Sequence, residues 1–220
     1  KRGRGKKYHS SVYAFSSKIR CGHCGSWYGS KVWHSNSQYR KTIWQCNHKF
    51  DGDERCDTPH LSDEDIQRLF LSAANKLLVD KAEVIANCRE MMDLLFNTTE
   101  LEAEQATLLE ETQLISDMVQ QTIYENAHVA LDQTEYQKRY DNLTQRFETA
   151  KQRLETVMAE LDRMQTQRAD IEAFVESFET LPDTLTEFKL ENWHSLVEYA
   201  TVYSTDDIRF TFKHGQEVQA

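Results

Sequence analysis

The chain has 220 residues, of which 39% are hydrophobic and 28% are charged, with only 7 Gly and 2 Pro. This composition favours a largely helical protein of one or two domains. No apolar run approaches the roughly 18 residues that a membrane span needs, and no apolar segment follows the basic start as it would in a signal peptide. Five cysteines, an odd number, without an export signal favour metal binding and free thiols over disulfides.

Charge is distributed unevenly along the chain. The net charge is −10 overall, but residues 1–60 carry +8 and residues 61–220 carry −18. We therefore expect a polyanion-binding part followed by a solvated part that faces other proteins. Residues 1–16 are predicted to be a basic linker or arm that follows phosphates or a minor groove. Its candidate DNA-contacting residues are Arg2, Arg4, Lys6 and Lys7.

Four cysteines lie within the basic part. Residues 21–25 (CGHCG) have the form of a zinc knuckle, and a second pair follows with nine residues between its members. Four thiolates close the coordination sphere of Zn²⁺, which makes the metal structural and leaves no open position for catalysis. His23, His48 and His60 are close enough to compete as ligands, and disulfides or unliganded thiols are further alternatives. The favoured zinc ligands are Cys21, Cys24, Cys46 and Cys56.

Between the cysteine pairs, residues 30–33 and 39–45 are rich in β-branched and aromatic side chains and flank a polar turn. This pattern predicts a β-hairpin and, with the cysteines, a zinc ribbon over residues 17–60 that depends on its metal for folding. A two-stranded ribbon fits the major groove of DNA. The candidate DNA-contacting residues on it are Lys31, His34, Arg40 and Lys41.

A connecting helix is predicted over residues 61–97. Ser62 and Asp65 resemble a capping box that starts it. The sequence leaves open whether the helix continues through residues 97–99. Cys88 fits its apolar pattern, which favours core packing over reactivity. The other apolar residues of the pattern include Ile66, Phe70, Leu77, Val84, Met91 and Leu95.

A sustained heptad begins at Tyr136. Steps of four and three residues alternate through positions 140, 143, 147, 150, 154, 157, 161, 164, 168, 171, 175 and 178, and only Arg168 is neither apolar nor aromatic. Together with the preceding stretch, this predicts an antiparallel coiled coil over residues 98–181 with its tip near 126–134. Asp132 or Thr134 can cap the second helix. The apolar residues at the tip have two interpretations: they form a contact surface for another protein, or they merely close the hairpin. These residues are Tyr124, His128, Val129, Leu131 and Tyr136.

Residues 182–220 predict a short amphipathic helix and then a β-hairpin that returns to the zinc-ribbon sheet. In the hairpin, Ile208, Phe210 and Phe212 alternate with polar residues, as in a strand with one buried face. The predicted fold class is therefore α+β and mostly helical. It consists of a small zinc-ribbon β domain with an inserted long antiparallel coiled-coil hairpin.

Three blocks that contain the cysteines resemble one known family. Residues 17–25 (SKIRCGHCG), 39–46 (YRKTIWQC) and 56–61 (CDTPHL) are similar to the zinc ribbon of large serine recombinases, which are phage integrases and mobile-element recombinases. Residues 193–215 are similar to the C-terminal end of that family. The resemblance implies that the four cysteines of these blocks are the metal ligands.

The resemblance implies a module for site-specific recombination and DNA integration, and not an enzyme. In this family the catalytic serine lies in a separate N-terminal domain, which we expect to be absent here. The zinc ribbon would bind double-stranded DNA at an attachment-site half-site, and the coiled coil would contact other recombinase subunits to pair sites and control the direction of integration or excision. A directionality factor is a further implied partner. The implied location is the bacterial cytoplasm, at the nucleoid, with no membrane involved.

The main alternative is a zinc-plus-coiled-coil scaffold for protein interactions, without DNA specificity. RING-type ligases need ligands for two metals, and zinc hooks carry their cysteines at the coiled-coil tip, so neither pattern fits this chain. A metalloenzyme or redox site is disfavoured by the closed coordination and by the lack of an acid–base cluster near the cysteines.

Overall fold

The computed structural model describes residues 13–50 and 56–220. Two compact units divide the chain: the head, Lys1–Arg89 with Asp170–Ala220, and the helical insert, Glu90–Ala169. A mostly helical chain with a small β region confirms the predicted fold class. No described helix is both long and apolar enough to cross a membrane. The elements are β1 Ile19–Cys21, β2 Tyr28–Trp33, β3 Lys41–Cys46, β4 Leu61–Ser62, α1 Asp63–Val79, α2 Lys81–Leu95, α3 Thr99–His128, α4 Gln133–Glu179, α5 Leu190–Leu196, β5 Val197–Val202, β6 Ile208–Phe212 and β7 Glu217–Gln219.

The head contains two small sheets. The predicted hairpin forms between β2 and β3, in which Tyr28 faces Cys46 and Trp33 faces Lys41, and β4 adds a third antiparallel strand beside β3. The second sheet has the order β1-β5-β6-β7, with β1 and β5 parallel. The C-terminal strands therefore reach the zinc-ribbon segment through β1. They do not extend the β2–β3 hairpin sheet, whose third strand is β4.

An aromatic cluster forms the core of the head. Trp193 of α5 lies 5.0 Å from Phe15, 5.5 Å from Phe70 and 6.1 Å from Phe210, as measured between ring centres. Most of these contacts are edge-to-face, the arrangement that aromatic quadrupoles favour. The indole N–H of Trp193 donates to the Ala14 carbonyl at 3.0 Å. The cluster packs α1, α5 and β6 against Ala14 and Phe15, which precede β1. These contacts fix the position of β1 in the head.

The capping box at the start of α1 is confirmed. The Ser62 hydroxyl accepts from the Asp65 N–H at 3.1 Å, and the Asp65 carboxylate accepts from the Ser62 N–H at 3.0 Å. Hydrogen bonds from the Ser62 backbone and hydroxyl hold the pKa of Asp65 below its ordinary value. Because the folded pKa is lowered, this stabilisation is present above the ordinary Asp pKa and is lost as the pH falls through the folded value.

The prediction of one connecting helix over residues 61–97 is wrong. Asp80 separates α1 from α2, and the apolar face of α2 then follows a four-residue step through Cys88 and Met92, which are buried. Leu95, assigned to the apolar face by the sequence pattern, is 61% exposed. The question of continuity through residues 97–99 is also decided, since α2 ends before this segment and α3 begins at Thr99.

The helical insert contains an antiparallel pair formed by α3 and α4. Three ion pairs join the two helices with opposite chain direction: Arg139–Glu125 at 3.2 Å, Arg146–Glu111 at 3.6 Å and Arg153–Glu104 at 2.6 Å. Every predicted heptad position of α4 is buried or partly buried, which identifies this stripe as the packed seam. Asp132 is the cap of α4, because its side chain accepts from the Thr134 N–H at 2.8 Å.

Candidate metal centre and nucleic-acid interface

The four predicted cysteine ligands converge in the head. The Sγ atoms of Cys21, Cys24, Cys46 and Cys56 lie within 4.8 Å of one another. The shortest separations are 3.2 Å between Cys21 and Cys56 and 3.4 Å between Cys24 and Cys46, and all four residues are free thiols. A tetrahedral zinc site with Zn–S bonds of about 2.3 Å places its sulfurs about 3.8 Å apart. The donor set therefore fits a closed, structural Zn²⁺ site.

Backbone geometry brings the first cysteine pair together. The Gly25 N–H donates to the Cys21 carbonyl at 2.9 Å and closes the knuckle, with Gly25 at a φ of 70°, where glycine is favoured. The Gly22 N–H donates to the Val202 carbonyl at 2.8 Å and so ties the knuckle to β5. A Cβ atom at Gly22 would lie 2.3 Å from the Tyr203 ring, which explains why this position holds glycine.

Thr58 is a neighbour of the metal site that sequence reasoning missed. Its side chain is 1% exposed, and its hydroxyl oxygen lies 3.4 Å from the Cys21 sulfur and 3.2 Å from the Cys56 sulfur. The Lys49 ammonium donates to the Thr58 carbonyl at 2.7 Å and holds this segment in place. The one feature of the sequence that could have indicated this role is the position of Thr58, two residues after the ligand Cys56. Hydrogen bonds to the sulfurs orient ligands and tune their charge in metal sites.

The thiols have different acidities. Burial opposes ionisation of Cys21, but hydrogen bonds from the Thr58 hydroxyl and the Cys24 backbone outweigh it and lower the pKa of Cys21 to about 6. Burial raises the pKa of Cys46 and also that of Cys24. A bound Zn²⁺ would stabilise all four thiolates, because metal ligation requires the deprotonated sulfur.

None of the three competing histidines joins the cluster. His23, His48 and His60 are exposed, and in the part of the chain that the structure describes only the four cysteines form a ligand group of this kind. The backbone N–H of His48 points to the Cys46 sulfur at 3.4 Å, whereas the His60 ring packs 4.6 Å from the Trp33 ring. The geometry therefore favours the all-cysteine set.

The predicted hairpin cations lie at the end of the β2–β3 ribbon that is remote from Cys46. Lys31, His34, Arg40 and Lys41 are all exposed. In the strand register Lys31 and Lys41 share a face with Trp33, and the Lys41 ammonium lies 5.8 Å from the Trp33 ring centre. None of the four forms an ion pair with a described residue, so the charges of Lys31, Arg40 and Lys41 are available to an external anion. The arm cations Arg2, Arg4, Lys6 and Lys7 lie outside the described residues.

The predicted tip residues take two different positions. Val129 is 57% exposed, and Tyr124 and His128 are exposed with their rings stacked 4.1 Å apart. Leu131 is also exposed. Tyr136 is instead partly buried and stacks on Tyr140 within α4. Sequence reasoning missed Ile123, which adds another exposed apolar side chain near the tip.

Residues 14–75 match the family model described as the recombinase zinc beta ribbon domain. This segment is similar to recombinase zinc ribbons. It contains the four clustered cysteines, strands β1–β4 and most of α1, so the chain carries a zinc ribbon of a recombinase-associated type. Searches of curated proteins and of solved structures found no match.

Proposed function

We propose that this chain is the DNA-binding and synapsis module of a large serine site-specific recombinase. The zinc ribbon binds attachment-site DNA, and the coiled coil contacts another subunit. One observation carries the proposal: a segment similar to recombinase zinc ribbons combines a closed four-thiol site with a hairpin whose exposed cations have no ion-pair partner among the described residues.

The arrangement suggests how the ribbon acts. A bound Zn²⁺ would tie Cys21, at the end of β1, to Cys46, at the end of β3, and so would fix the base of the hairpin. Lys31 and Lys41 then project from one face of the opposite end, where they contribute favourable charge to a phosphate backbone. In this proposal the metal stabilises the fold, and the protein side chains contact the DNA.

The hairpin lysines are expected to contribute directly to DNA affinity. The double change Lys31→Gln with Lys41→Gln should weaken DNA binding about tenfold. It should also reduce the slope of log K against log salt concentration by the amount expected for about two phosphate contacts, because each neutralised phosphate releases counterions. Fluorescence anisotropy with a labelled duplex over a salt series measures both quantities. Lys138→Gln with Lys151→Gln, on α4, is the matched control with the same charge change and should bind normally.

Two outcomes would contradict different parts of the proposal. Normal binding by the Lys31 and Lys41 variant would exclude the hairpin as the contact surface. A flat salt dependence of the unchanged protein would exclude electrostatic DNA binding altogether and would favour the protein-interaction scaffold.

The coiled-coil tip is expected to mediate contact between subunits. Val129→Ser with Leu131→Ser should weaken self-association by roughly tenfold, because it removes exposed apolar side chains that can pack against a second copy, while DNA affinity stays unchanged. Sedimentation equilibrium and a bridging assay with two labelled duplexes measure the two effects. Leu109→Ser with Leu114→Ser changes two exposed apolar residues elsewhere on α3 and serves as the control. Equal losses in both variants would rule out a specific tip contact.

A further inference from the structure

We propose that Arg20 is a pre-positioned phosphate-binding residue beside the zinc knuckle, separate from the hairpin cations. This inference rests on the proposed DNA-binding function and adds a contact to it. Arg20 lies on β1, directly before the ligand Cys21.

Two aromatic rings hold the Arg20 side chain. Its guanidinium carbon lies 5.3 Å from the ring centre of Trp27 and 5.3 Å from that of Tyr199. Trp27 is brought beside Arg20 by an isolated antiparallel bridge, and Tyr199 comes from β5, the neighbouring strand. Contacts at this distance are attractive cation–π interactions. Two of them restrict the orientation of the guanidinium plane and reduce the entropy that a ligand must remove on binding.

The hydrogen-bond donors of Arg20 have no acceptor among the residues that the structure describes. A guanidinium has five N–H donors, yet no residue that the structure describes accepts from the Arg20 side chain or forms an ion pair with it. Trp27 is 41% exposed and Arg20 is itself partly exposed, so solvent reaches this pair. A fixed cation with free donors at an accessible edge is suited to an oxyanion, and the planar fork can bind two phosphate oxygens at once.

Arg209 shows what a structural arginine looks like in the same sheet. It also stacks on a ring, 4.8 Å from the centre of Tyr203. Its donors, however, bind the Asp207 carboxylate at 2.7 and 2.9 Å and the Glu217 carboxylate at 3.2 Å. These two acids satisfy Arg209, whereas Arg20 has the same aromatic support without a carboxylate from any described residue.

Lys18, the cation just before β1, already has protein partners. The Lys18 ammonium donates to the Glu198 carbonyl at 2.8 Å and lies 4.0 Å from the Glu198 carboxylate. Lys18 therefore holds β5, and Arg20 is the cation of this segment that remains available for an external phosphate.

Arg20→Lys in the full chain tests the inference, because it keeps the charge and removes the planar fork. We expect the affinity for a labelled duplex of random sequence to fall roughly tenfold. Arg20→Gln should lose at least as much DNA affinity. It should also reduce the slope of log K against log salt concentration by the amount expected for about one phosphate contact. Arg209→Lys, the matched control, should bind DNA like the unchanged protein. Zinc content and thermal unfolding show whether each head is folded.

Trp27→Leu separates positioning from charge. It keeps Arg20 and removes one ring, so we expect weaker binding with an unchanged salt dependence. Normal binding by Arg20→Lys would overturn the inference, whether or not Arg20→Gln is impaired, because a point charge would then suffice. Absence of salt-dependent binding by the unchanged protein would overturn the proposed function as well. Normal salt-dependent binding by all Arg20 variants would overturn this inference alone.

Discussion

Chelation of the metal is expected to unfold the zinc ribbon and abolish DNA binding, while most of the helical signal is retained. The β2–β3 hairpin is small, and a bound Zn²⁺ would join sulfur atoms from sequence positions as distant as Cys21 and Cys56. Structural zinc sites contribute about 10–16 kcal/mol of apparent binding free energy in zinc-finger peptides, which is comparable with the total stability of a domain, about 5–15 kcal/mol. Helices α3 and α4 contain no cysteine, so their pairing does not depend on the metal.

Single substitutions should reproduce the effect of chelation. Cys46→Ser removes a ligand and should eliminate stoichiometric zinc, whereas Cys88→Ala changes a buried thiol outside the cluster and should leave zinc content unchanged. Atomic absorption measures zinc, far-UV circular dichroism measures helix content, and near-UV circular dichroism reports the packing of the aromatic side chains, including the buried Trp44 and Trp193. If chelation left both the fold and DNA binding unchanged, the zinc assignment would be wrong.

Gly22→Ala is expected to weaken zinc binding about thirtyfold. The new methyl group would lie 2.3, 2.6 and 2.7 Å from three atoms of the Tyr203 ring, so the ring or the knuckle must shift. Overpacking of this kind costs about 1–3 kcal/mol, and about 1.4 kcal/mol corresponds to a tenfold change in affinity. Gly22 does not have a left-handed φ, so the substitution tests steric contact alone. Competition with a chromophoric chelator gives the zinc affinity.

A second change tests the steric explanation. Tyr203→Ala in the Gly22→Ala background removes the obstructing ring and should restore most of the zinc affinity. Gly215→Ala is the control, since Gly215 has a φ of 97° and no described residue beyond its two chain neighbours comes within 4 Å of the added carbon. It should lower the stability of the β6–β7 turn without changing zinc affinity. Failure of the double variant to recover would exclude the contact with Tyr203 as the cause.

Features that depend on local spacing could be read from the sequence. The first ligand pair, Cys21 and Cys24, the capping box of Ser62 and Asp65, and the heptad of α4 each rest on residue types at short, regular separations. Such patterns predict a knuckle, a helix start or a packed stripe because the backbone geometry that places the side chains repeats along the chain. The fold class followed from these elements without knowledge of their long-range contacts.

Other features required the folded molecule. The pairing of β1 with β5, the break at Asp80 and the contact of Thr58 with the ligand sulfurs have no periodic signature. Arg20 shows the reason most clearly, because its partner Tyr199 comes from the other end of the chain. Local patterns determine which helices and strands form, whereas sheet closure and core packing decide which distant side chains meet. The sequence alone thus predicted the coiled coil and made the four cysteines the favoured ligands. Only the tertiary structure separated those cysteines from the competing histidines, and only it distinguished an arginine whose donors bind no described residue from one already satisfied by carboxylates.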